Sequence, residues 1–314
     1  MIPQHFLGLD IGASKARIAA LTLDALRPSW TETLAVERGL KGAKRTLEEI
    51  ARLIKVREPG GVAGLCVAIA AQVDINRGVI VGSPNLGWNG LGIAEQLGSL
   101  LGVNVTVEND VRAAAWGEFI AGAGRGFRDL AAVFIGSGIG GGIIVGGELL
   151  YGAGFTAGEV GHLPLTQGKV CGCGGSDCVE SVASSSHLEE RARTLMAEGR
   201  APHLAEITGG EAGRVRIDRV VTAARAGDKS LRQLTSEALE LWTRLLLCIA
   251  MVIAPQVIVL GGGVFVGWDE AYEELKKQFA ERKLPACRTE LRRAALGDLS
   301  GAIGAAQLCM LRQV

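Results

Sequence analysis

The chain has 314 residues, of which 48% are hydrophobic and 21% are charged, which is ordinary for a globular protein and long enough for two domains. The 33 basic residues balance the 33 acidic residues, so bulk charge gives no support for binding to nucleic acid or to a membrane surface. The odd cysteine count and the lack of a secretory leader before the first predicted strand favour a reducing cytoplasm.

The first half of the chain begins with a strand at 6–10, a glycine-rich turn and a second strand at 16–22, followed by a third strand. Helical and buried apolar segments then alternate. We predict a helix near 43–55, a strand at 62–70, a helix near 91–101, a strand at 103–107 and a helix at 111–121.

The second half repeats this beginning. A strand at 131–135, a glycine-rich turn and a returning strand at 141–145 precede Gly146-Gly147, which is typical of a hairpin. Three serines at 184–186 predict the start of a helix, and a long helix is predicted at about 229–253, before a buried strand at 257–260.

An uncharged segment at 245–268 resembles a membrane span in composition. Pro255 and the triplet Gly261-Gly262-Gly263 interrupt it, so a buried helix end, a strand and a turn explain it better. Two βββαβα halves predict an α/β fold with a central cleft between two domains, and ligands of such folds lie at the carboxyl ends of the strands.

Two glycine-rich turns occupy equivalent positions in the two halves, where backbone N–H groups can approach phosphates. With a third glycine cluster they predict a nucleotide site formed by Gly12, Ala13, Ser14, Gly136, Ser137, Gly138, Gly261, Gly262 and Gly263. Asp10 ends the first strand, where a carboxylate can hold Mg²⁺ through water; a turn-capping role is the alternative.

The strand at 103–107 leads into Glu108-Asn109-Asp110 at the start of a helix. An N-cap role is expected there, and it is compatible with a catalytic role in which Asp110 accepts a proton from a substrate hydroxyl and Asn109 binds a neighbouring hydroxyl. In the turn Pro84-Asn85-Leu86-Gly87-Trp88, an amide and an aromatic side chain together suit a polyol ligand.

Three cysteines and one histidine fall within seventeen residues of each other: His162, Cys171, Cys173 and Cys178. A Cys₃His set predicts a closed, tetrahedral and therefore structural Zn²⁺ site, with unlinked buried thiols as the alternative. The polar side chains around it, Glu159, His162 itself and Glu180, can receive several sugar hydroxyls.

These motifs together resemble the ROK family (repressors, open reading frames, kinases) of the actin/hexokinase/Hsp70 ATPase superfamily. The matching stretches run through almost the whole chain and begin at Asp10, Pro84, Glu108, Gly136, Gly158, Cys171 and Val257. The resemblance implies a two-domain actin-like ATPase (ribonuclease H-like) fold, with a small domain at 1–110 plus about 300–314 and a large domain at 111–299 that carries the zinc loop.

The resemblance also implies an ATP- and Mg²⁺-dependent hexose kinase that is cytoplasmic and homodimeric and has a structural Zn²⁺ site. Asp110 matches the base that activates the 6-hydroxyl of the sugar. Sugar-binding positions match Asn85, Asn109, Glu159, His162 and Glu180, and the zinc ligands match His162, Cys171, Cys173 and Cys178.

Glucose is the expected substrate. N-acetylglucosamine, N-acetylmannosamine and fructose are the alternatives, because Ala70-Ala71 stands where Pro-Gly is common near the sugar pocket. A non-catalytic, sugar-sensing ROK protein is the third hypothesis. The first strand begins by about residue 5, so we expect no N-terminal helix-turn-helix and no DNA binding.

Two further departures concern turns. Ala13 adds a methyl group where glycine is usual and could strain the first turn or narrow the phosphate site. Asp177 replaces a usual glycine before the last cysteine of the cluster. Because Asp tolerates left-handed backbone better than most residues, we expect the loop to keep its conformation.

Overall fold

A computed structural model gives the structure of residues 4–23, 25–83 and 85–312. The strands of these residues are, in chain order, β1 (Phe6–Ile11), β2 (Lys15–Leu21), β3 (Trp30–Ala35), β4 (Gly64–Ile69), β5 (Gln72–Asp74), β6 (Val79–Gly82), β7 (Val105–Asn109), β8 (Leu130–Ile135), β9 (Ile139–Val145), β10 (Glu148–Leu149), β11 (Val257–Gly261) and β12 (Glu290–Arg293).

The α-helices in the same part of the chain are α1 (Gly39–Arg57), α2 (Ile93–Leu101), α3 (Asp110–Ala121), α4 (Glu180–Ala183), α5 (Ser185–Ala197), α6 (Pro202–Thr208), α7 (Ile217–Ala226), α8 (Lys229–Val252), α9 (Val264–Gly267), α10 (Glu270–Arg282) and α11 (Ser300–Leu311). Short 3₁₀ helices lie at Val160–His162, Ala212–Arg214 and Gly297–Leu299.

The chain divides into two compact units, Met1–Phe127 with Ala294–Val314, and Arg128–Arg293. The first unit thus ends at Phe127 and resumes at Ala294, whereas the predicted limits are 110 and about 300. The first unit keeps α3 and takes the chain back at Ala294, because α3 packs against α11.

The first unit contains a five-stranded sheet in the order β3-β2-β1-β4-β7. β1, β2 and β3 pair antiparallel, whereas β1, β4 and β7 are parallel. Parallel strands end at the same edge of a sheet, so Ile11, Ile69 and Asn109 lie in register at that edge. β5 and β6 form a separate two-stranded sheet that the sequence did not predict.

The second unit contains a sheet of the same design, in the order β10-β9-β8-β11-β12. Its first three strands in the chain are antiparallel neighbours, and β8, β11 and β12 are parallel. The predicted duplicated α/β fold is therefore confirmed, and each half extends the βββαβα pattern by one more parallel strand and a helix.

Alternation along β2 places its side chains in two different cores. Ile18 and Ala20 pack in the cluster that α1 and α2 cover, while Ala19 and Leu21 pack against α11. Successive side chains of a strand point to opposite faces, so this sheet is covered on both sides. Each fully buried large apolar side chain contributes about 1.5–3 kcal/mol.

Helix α11 approaches β1 and α3 so closely that glycines are required on both sides of the contact. A Cβ on Gly8 would overlap the Ala302 carbonyl oxygen, and a Cβ on Gly304 would overlap the carbonyl oxygen of Ala113. The Glu118 carboxylate fixes the end of α3, since it accepts hydrogen bonds from the backbone N–H groups of Ala123, Ala295 and Leu296 at 2.8–3.0 Å.

The uncharged segment contains the predicted helix end, in α8, and the predicted buried strand, β11, but after the glycine triplet it forms the short helix α9, which the sequence did not predict. In the described ranges, no helix combines the length and the apolar character that crossing a membrane would require. The hairpin glycines Gly146 and Gly147 both have positive φ, at 64° and 92°, as a tight turn of this kind requires.

We expect Gly304→Ala to lower the free energy of unfolding by about 2–3 kcal/mol, because the added methyl group must push α11 away from α3. Urea unfolding of the purified protein measures this change. Gly60→Ala is the matched control, since nothing lies within 4 Å of its Cβ position, and it should change stability by less than about 0.5 kcal/mol. Equal stability of the two variants would contradict the close approach of the helices.

Candidate functional site

Asp10 lies near the carboxyl end of β1, against the first turn of α11. A Cβ on Gly301 would stand 2.8 Å from the Asp10 Cγ, so this glycine makes room for the carboxylate. Arg17, the antiparallel partner of Asp10, donates a hydrogen bond to Asp298 over 2.7 Å. The carboxylate therefore lies in a charged corner of the first unit, at the beginning of a helix whose N-terminal dipole favours negative charge.

The environment of Asp10 disfavours its charged form. Burial, and then the neighbouring carboxylate of Asp110, raise the pKa of Asp10 from 3.8 to about 7; Asp298 acts in the same direction and Arg17 against it. A divalent cation at this carboxylate would offset both the burial and the repulsion, so the residue suits the predicted Mg²⁺ role.

The first glycine-rich turn joins β1 to β2 and closes with a hydrogen bond from Gly12 N–H to the Lys15 carbonyl oxygen, at 2.9 Å. Among the described residues, the non-glycine residues with positive φ are Phe155, Asp177 and Ala254. Ala13 therefore does not strain the turn, contrary to the concern raised by the sequence, and Ser14 is exposed on it.

Asn109 is the N-cap of α3. Its side-chain oxygen accepts hydrogen bonds from the N–H groups of Val111 and Arg112, at 3.0 and 3.1 Å. Its amide nitrogen donates to the Asp110 Oδ1 over 3.1 Å. The expected capping role thus belongs to Asn109, and the half-buried carboxylate of Asp110 is oriented beside it, where it can act as a base.

The turn at 85–88 places two predicted ligand residues in different surroundings. Asn85 is exposed, whereas Trp88 is fully buried and its indole N–H donates to the Glu37 carbonyl oxygen over 3.1 Å. The interpretation of Trp88 as part of a polyol site is therefore wrong, because the ring belongs to the core. Pro84, the first residue of this motif, lies outside the described residues.

The two glycine clusters of the second unit meet at the end of β8. A Cβ on Gly262, whose φ is 106°, would overlap the backbone of Ile135 directly before the turn of Gly136, Ser137 and Gly138. Ser137 is exposed, and Gly136 N–H donates to the Gly138 carbonyl oxygen over 2.8 Å. Exposed turn backbone of this kind can approach an anion.

Two glycines seat Glu159 and His162 against β9. A Cβ on Gly158 would stand 2.7 Å from the Gly141 carbonyl oxygen, and one on Gly161 would overlap that of Ile139. The carboxylate of Glu159 remains half exposed, and its Oε2 lies 3.8 Å from the His162 Nε2. The Glu159 carboxylate therefore faces the Nε2 edge of the imidazole ring.

The four predicted metal ligands come together. One ligand atom from each of His162, Cys171, Cys173 and Cys178 lies within 4.8 Å of all the others. The distance from Cys171 Sγ to His162 Nδ1 and that from Cys173 Sγ to Cys178 Sγ are both 3.7 Å. A tetrahedral zinc ion with Zn–S bonds of 2.3 Å requires edges of about 3.8 Å, so the residues fit this metal.

The ring of His162 thus has two sides. Nδ1 faces the thiols and Nε2 faces Glu159.

Two thiols of the cluster have shifted pKa values. Burial and the neighbouring thiols raise the pKa of Cys178 to about 12. The pKa of the exposed Cys173 thiol is lowered, mainly by a backbone hydrogen bond from Gly175.

Glu180 connects the metal loop to the second glycine-rich turn. It begins α4, two residues after Cys178, and its Oε2 accepts a hydrogen bond from the Ile139 N–H over 2.6 Å. Asp177 has a φ of 65°, which confirms the left-handed residue expected there, and its side chain accepts a hydrogen bond from Gly168 N–H at 2.5 Å.

The sequence did not predict the ion pairs behind Asn109. Glu108 is fully buried between Arg112 and Arg312, at 2.8 and 2.6 Å. Helical periodicity does not indicate the pairing of Glu108 with Arg112, because Glu108 lies on β7 and Arg112 on α3. Arg312 lies 204 positions away in the chain, and no local pattern connects it to Glu108.

Comparison with known proteins agrees with the fold. The model of the ROK family matches residues 6–311. The chain belongs to the ROK family. The predicted family is thereby confirmed across almost the whole length of the protein.

Individual ROK proteins resemble the chain along its whole length. A glucokinase of Halalkalibacterium halodurans is 29% identical, over 97% of this chain and 94% of its own. An N-acetylmannosamine kinase of Salmonella typhi is 30% identical, over 96% and 97%. The crystal structure of a ROK family glucokinase from Streptomyces griseus in complex with glucose and AMPPNP superposes with a TM-score of 0.82 at 28% identity, covering 99% of this chain and 100% of that one.

We expect Asp10→Asn to stabilise the protein against urea when Mg²⁺ and nucleotide are absent. The pKa of Asp10 is about 7 in the folded state, above its ordinary value of 3.8, so folding disfavours the ionised form. This penalty is absent below about pH 4, grows as the pH rises and is complete above pH 7. The gain should therefore be about 2–3 kcal/mol larger at pH 8 than at pH 5.

The comparison is made in the same buffer with Asp218→Asn, an exposed position on α7, as the control for the substitution itself. An Asp10→Asn gain that is equal at the two pH values would contradict the assigned environment of the carboxylate.

Proposed function

We propose that this ROK protein, an ATP-dependent sugar kinase, transfers the γ-phosphate of ATP to the 6-hydroxyl of glucose. The observation that carries the proposal is the pair of acidic residues in the first unit. Asp110 is close enough to Asp10 to disfavour ionisation of the Asp10 carboxylate, and Asn109 already caps the helix that Asp110 begins. Carboxylates in this relation suit one metal-binding and one proton-accepting role.

In the proposed reaction, the 6-hydroxyl of the sugar gives its proton to the Asp110 carboxylate while its oxygen attacks the γ-phosphorus. The bond between that phosphorus and the bridging oxygen of ADP breaks, and ADP leaves. Such transfer depends mainly on positioning and electrostatics. Mg²⁺, when bound, supplies charge neutralisation at the phosphate oxygens, and Asp10 is the residue proposed to hold it.

The remaining predicted residues have binding roles in this proposal. Glycine-rich turns hold the nucleotide through the backbone of Gly12, Ala13, Ser14, Gly136, Ser137, Gly138, Gly261, Gly262 and Gly263. Sugar hydroxyls are bound by Asn85, Asn109, Glu159, His162 and Glu180. The nearness of Glu159 to the Nε2 edge of His162 supports a shared role for these two side chains.

We propose that zinc is the metal of the cysteine cluster and that it is structural. Four protein ligands, His162, Cys171, Cys173 and Cys178, complete a tetrahedron, so no position is left for a reacting water. Because His162 uses Nδ1 toward the thiols, the metal would fix the orientation of its Nε2 edge toward the sugar.

Two other functions remain alternatives. A different hexose, including N-acetylmannosamine, N-acetylglucosamine or fructose, is a candidate because an N-acetylmannosamine kinase is as similar in sequence as a glucokinase. A non-catalytic sugar sensor is less well supported, since both Asp10 and Asp110 are present. We further propose that the protein acts in the cytoplasm as a homodimer.

We expect glucose to be the preferred substrate in an ATP-dependent phosphorylation assay with a panel of hexoses. Its kcat/KM should exceed those of N-acetylglucosamine, N-acetylmannosamine and fructose by about tenfold or more, because pocket polar groups left unpaired penalise the wrong sugar. A higher kcat/KM for an N-acetylated sugar would replace glucose in the proposal. Sugar binding without ATP turnover would instead favour the sensor.

We expect Asp110→Asn to lower kcat by about 10²–10⁴-fold, the usual contribution of a positioned general base. Steady-state kinetics at saturating ATP and sugar measure this loss. The isosteric control is Asp218→Asn on the exposed side of α7, which should keep the original kcat. Unchanged turnover in Asp110→Asn would overturn the assignment of the base.

We expect Cys178→Ser to abolish bound zinc, to lower the melting temperature by more than about 5 °C and to weaken sugar binding by about tenfold or more. Metal analysis, thermal unfolding and calorimetric titration with sugar measure the three effects. Cys248→Ser, on α8 outside the cluster, is the control. Zinc loss with unchanged sugar affinity would show that the metal only stabilises the loop.

A further inference from the structure

A buried ion-pair network lies behind the turn that carries Asp110. The Glu108 carboxylate has no solvent exposure, and the Arg112 side chain has only 4%. Glu108 Oε1 accepts from the Arg112 Nε at 2.8 Å, and Oε2 accepts from the Arg312 Nη2 at 2.6 Å. Arg312 also donates to the Val107 carbonyl oxygen over 3.3 Å.

Such a network is costly to bury. Removing a carboxylate and a guanidinium from water carries a large desolvation penalty, and apolar side chains of similar size often give equal or greater stability. A gain in stability therefore does not account for the network. Its contacts with the backbone indicate another role.

The Glu108 carboxylate reaches the peptide that leads into the proposed base. Oε1 also accepts a hydrogen bond from the Asn109 N–H, at 2.8 Å. The side chain of Asn109 in turn bonds Asp110 and the N–H of Arg112. Arg112 and Arg312 are thus connected through Glu108 and Asn109 to the carboxylate of Asp110, by hydrogen bonds of 2.6–3.1 Å and by the covalent bonds of Asn109 itself.

Arg312 brings the end of α11 into this arrangement. The first turn of the same helix lies against Asp10, since Gly301 makes room for that carboxylate. One helix therefore contacts the surroundings of both acidic residues, at Asp10 through its first turn and at Glu108 through the residue that follows its last turn.

We propose that Arg112 and Arg312 are positioning residues, which hold Glu108 so that Asn109 and Asp110 keep the geometry required for proton transfer. This inference rests on the proposed function of Asp110. Displacement of a catalytic group by about 1 Å can reduce a rate by about 10²-fold, so small shifts of Asn109 should be visible in kcat.

The test uses Arg312, because its side chain is 22% exposed, whereas that of Arg112 is only 4% exposed. Arg312→Ala should lower kcat about 10–100-fold while KM for ATP changes less than about threefold. Arg312→Lys keeps the positive charge and should lose less. Millimolar guanidinium should restore part of the kcat of Arg312→Ala and leave the original protein unchanged.

Two controls separate positioning from stability. Leu97→Ala removes a fully buried side chain of α2 in the same unit and should lower the melting temperature with little change in kcat. Arg200→Ala removes an exposed guanidinium that pairs with Glu198 in the other unit and should leave both unchanged. Unchanged kcat in Arg312→Ala would overturn the inference. So would a loss of kcat that Leu97→Ala reproduces and that neither lysine nor guanidinium relieves.

Measuring Asp110→Asn beside these variants distinguishes a failure of the proposed base from a failure of the positioning role. Full activity in Asp110→Asn removes the base, and with it the proposed function of this residue. An inactive Asp110→Asn together with a fully active Arg312→Ala keeps the base and overturns only the positioning role.

Discussion

The first unit depends on direct contact between the backbone of α11 and the backbones of β1 and α3. Gly8 and Gly304 permit this approach, because a methyl group on either would overlap a carbonyl oxygen of the facing element. Asp10 lies one residue before the end of β1 and Asp110 begins α3, so the distance between these carboxylates follows from how closely the three elements pack. The helix that returns from the far end of the sequence thereby determines the geometry of the proposed catalytic pair.

Burial and the nearby carboxylate of Asp110 together disfavour the charged form of Asp10. The raised pKa of Asp10 is the physical sign of an arrangement that is unfavourable without a cation. Active sites commonly hold charged groups in surroundings where they lower the stability of the fold. In the second unit, three thiols and an imidazole are likewise gathered around one point, and a metal bound there would hold them together.

Much of this could be predicted from the sequence, because the decisive signals are local. Glycine-rich turns between apolar strands predict the duplicated sheets, and the spacing of Cys171, Cys173 and Cys178 predicts the metal cluster. Trp88 was misinterpreted because a turn motif does not show which way its aromatic ring points. The partnership of Glu108 with Arg312 joins residues 204 positions apart, and only the packing of α11 brings them together.

The central claim is that Asp110 is the group that meets the reacting hydroxyl. A crystal structure of the protein with Mg²⁺, a non-hydrolysable ATP analogue and glucose tests it most directly. The account predicts a carboxylate oxygen of Asp110 within about 2.6–3.2 Å of the sugar 6-oxygen, with Asp10 on the side of the metal and phosphates. A 6-hydroxyl that contacts a different carboxylate, or points away from Asp110, would contradict it.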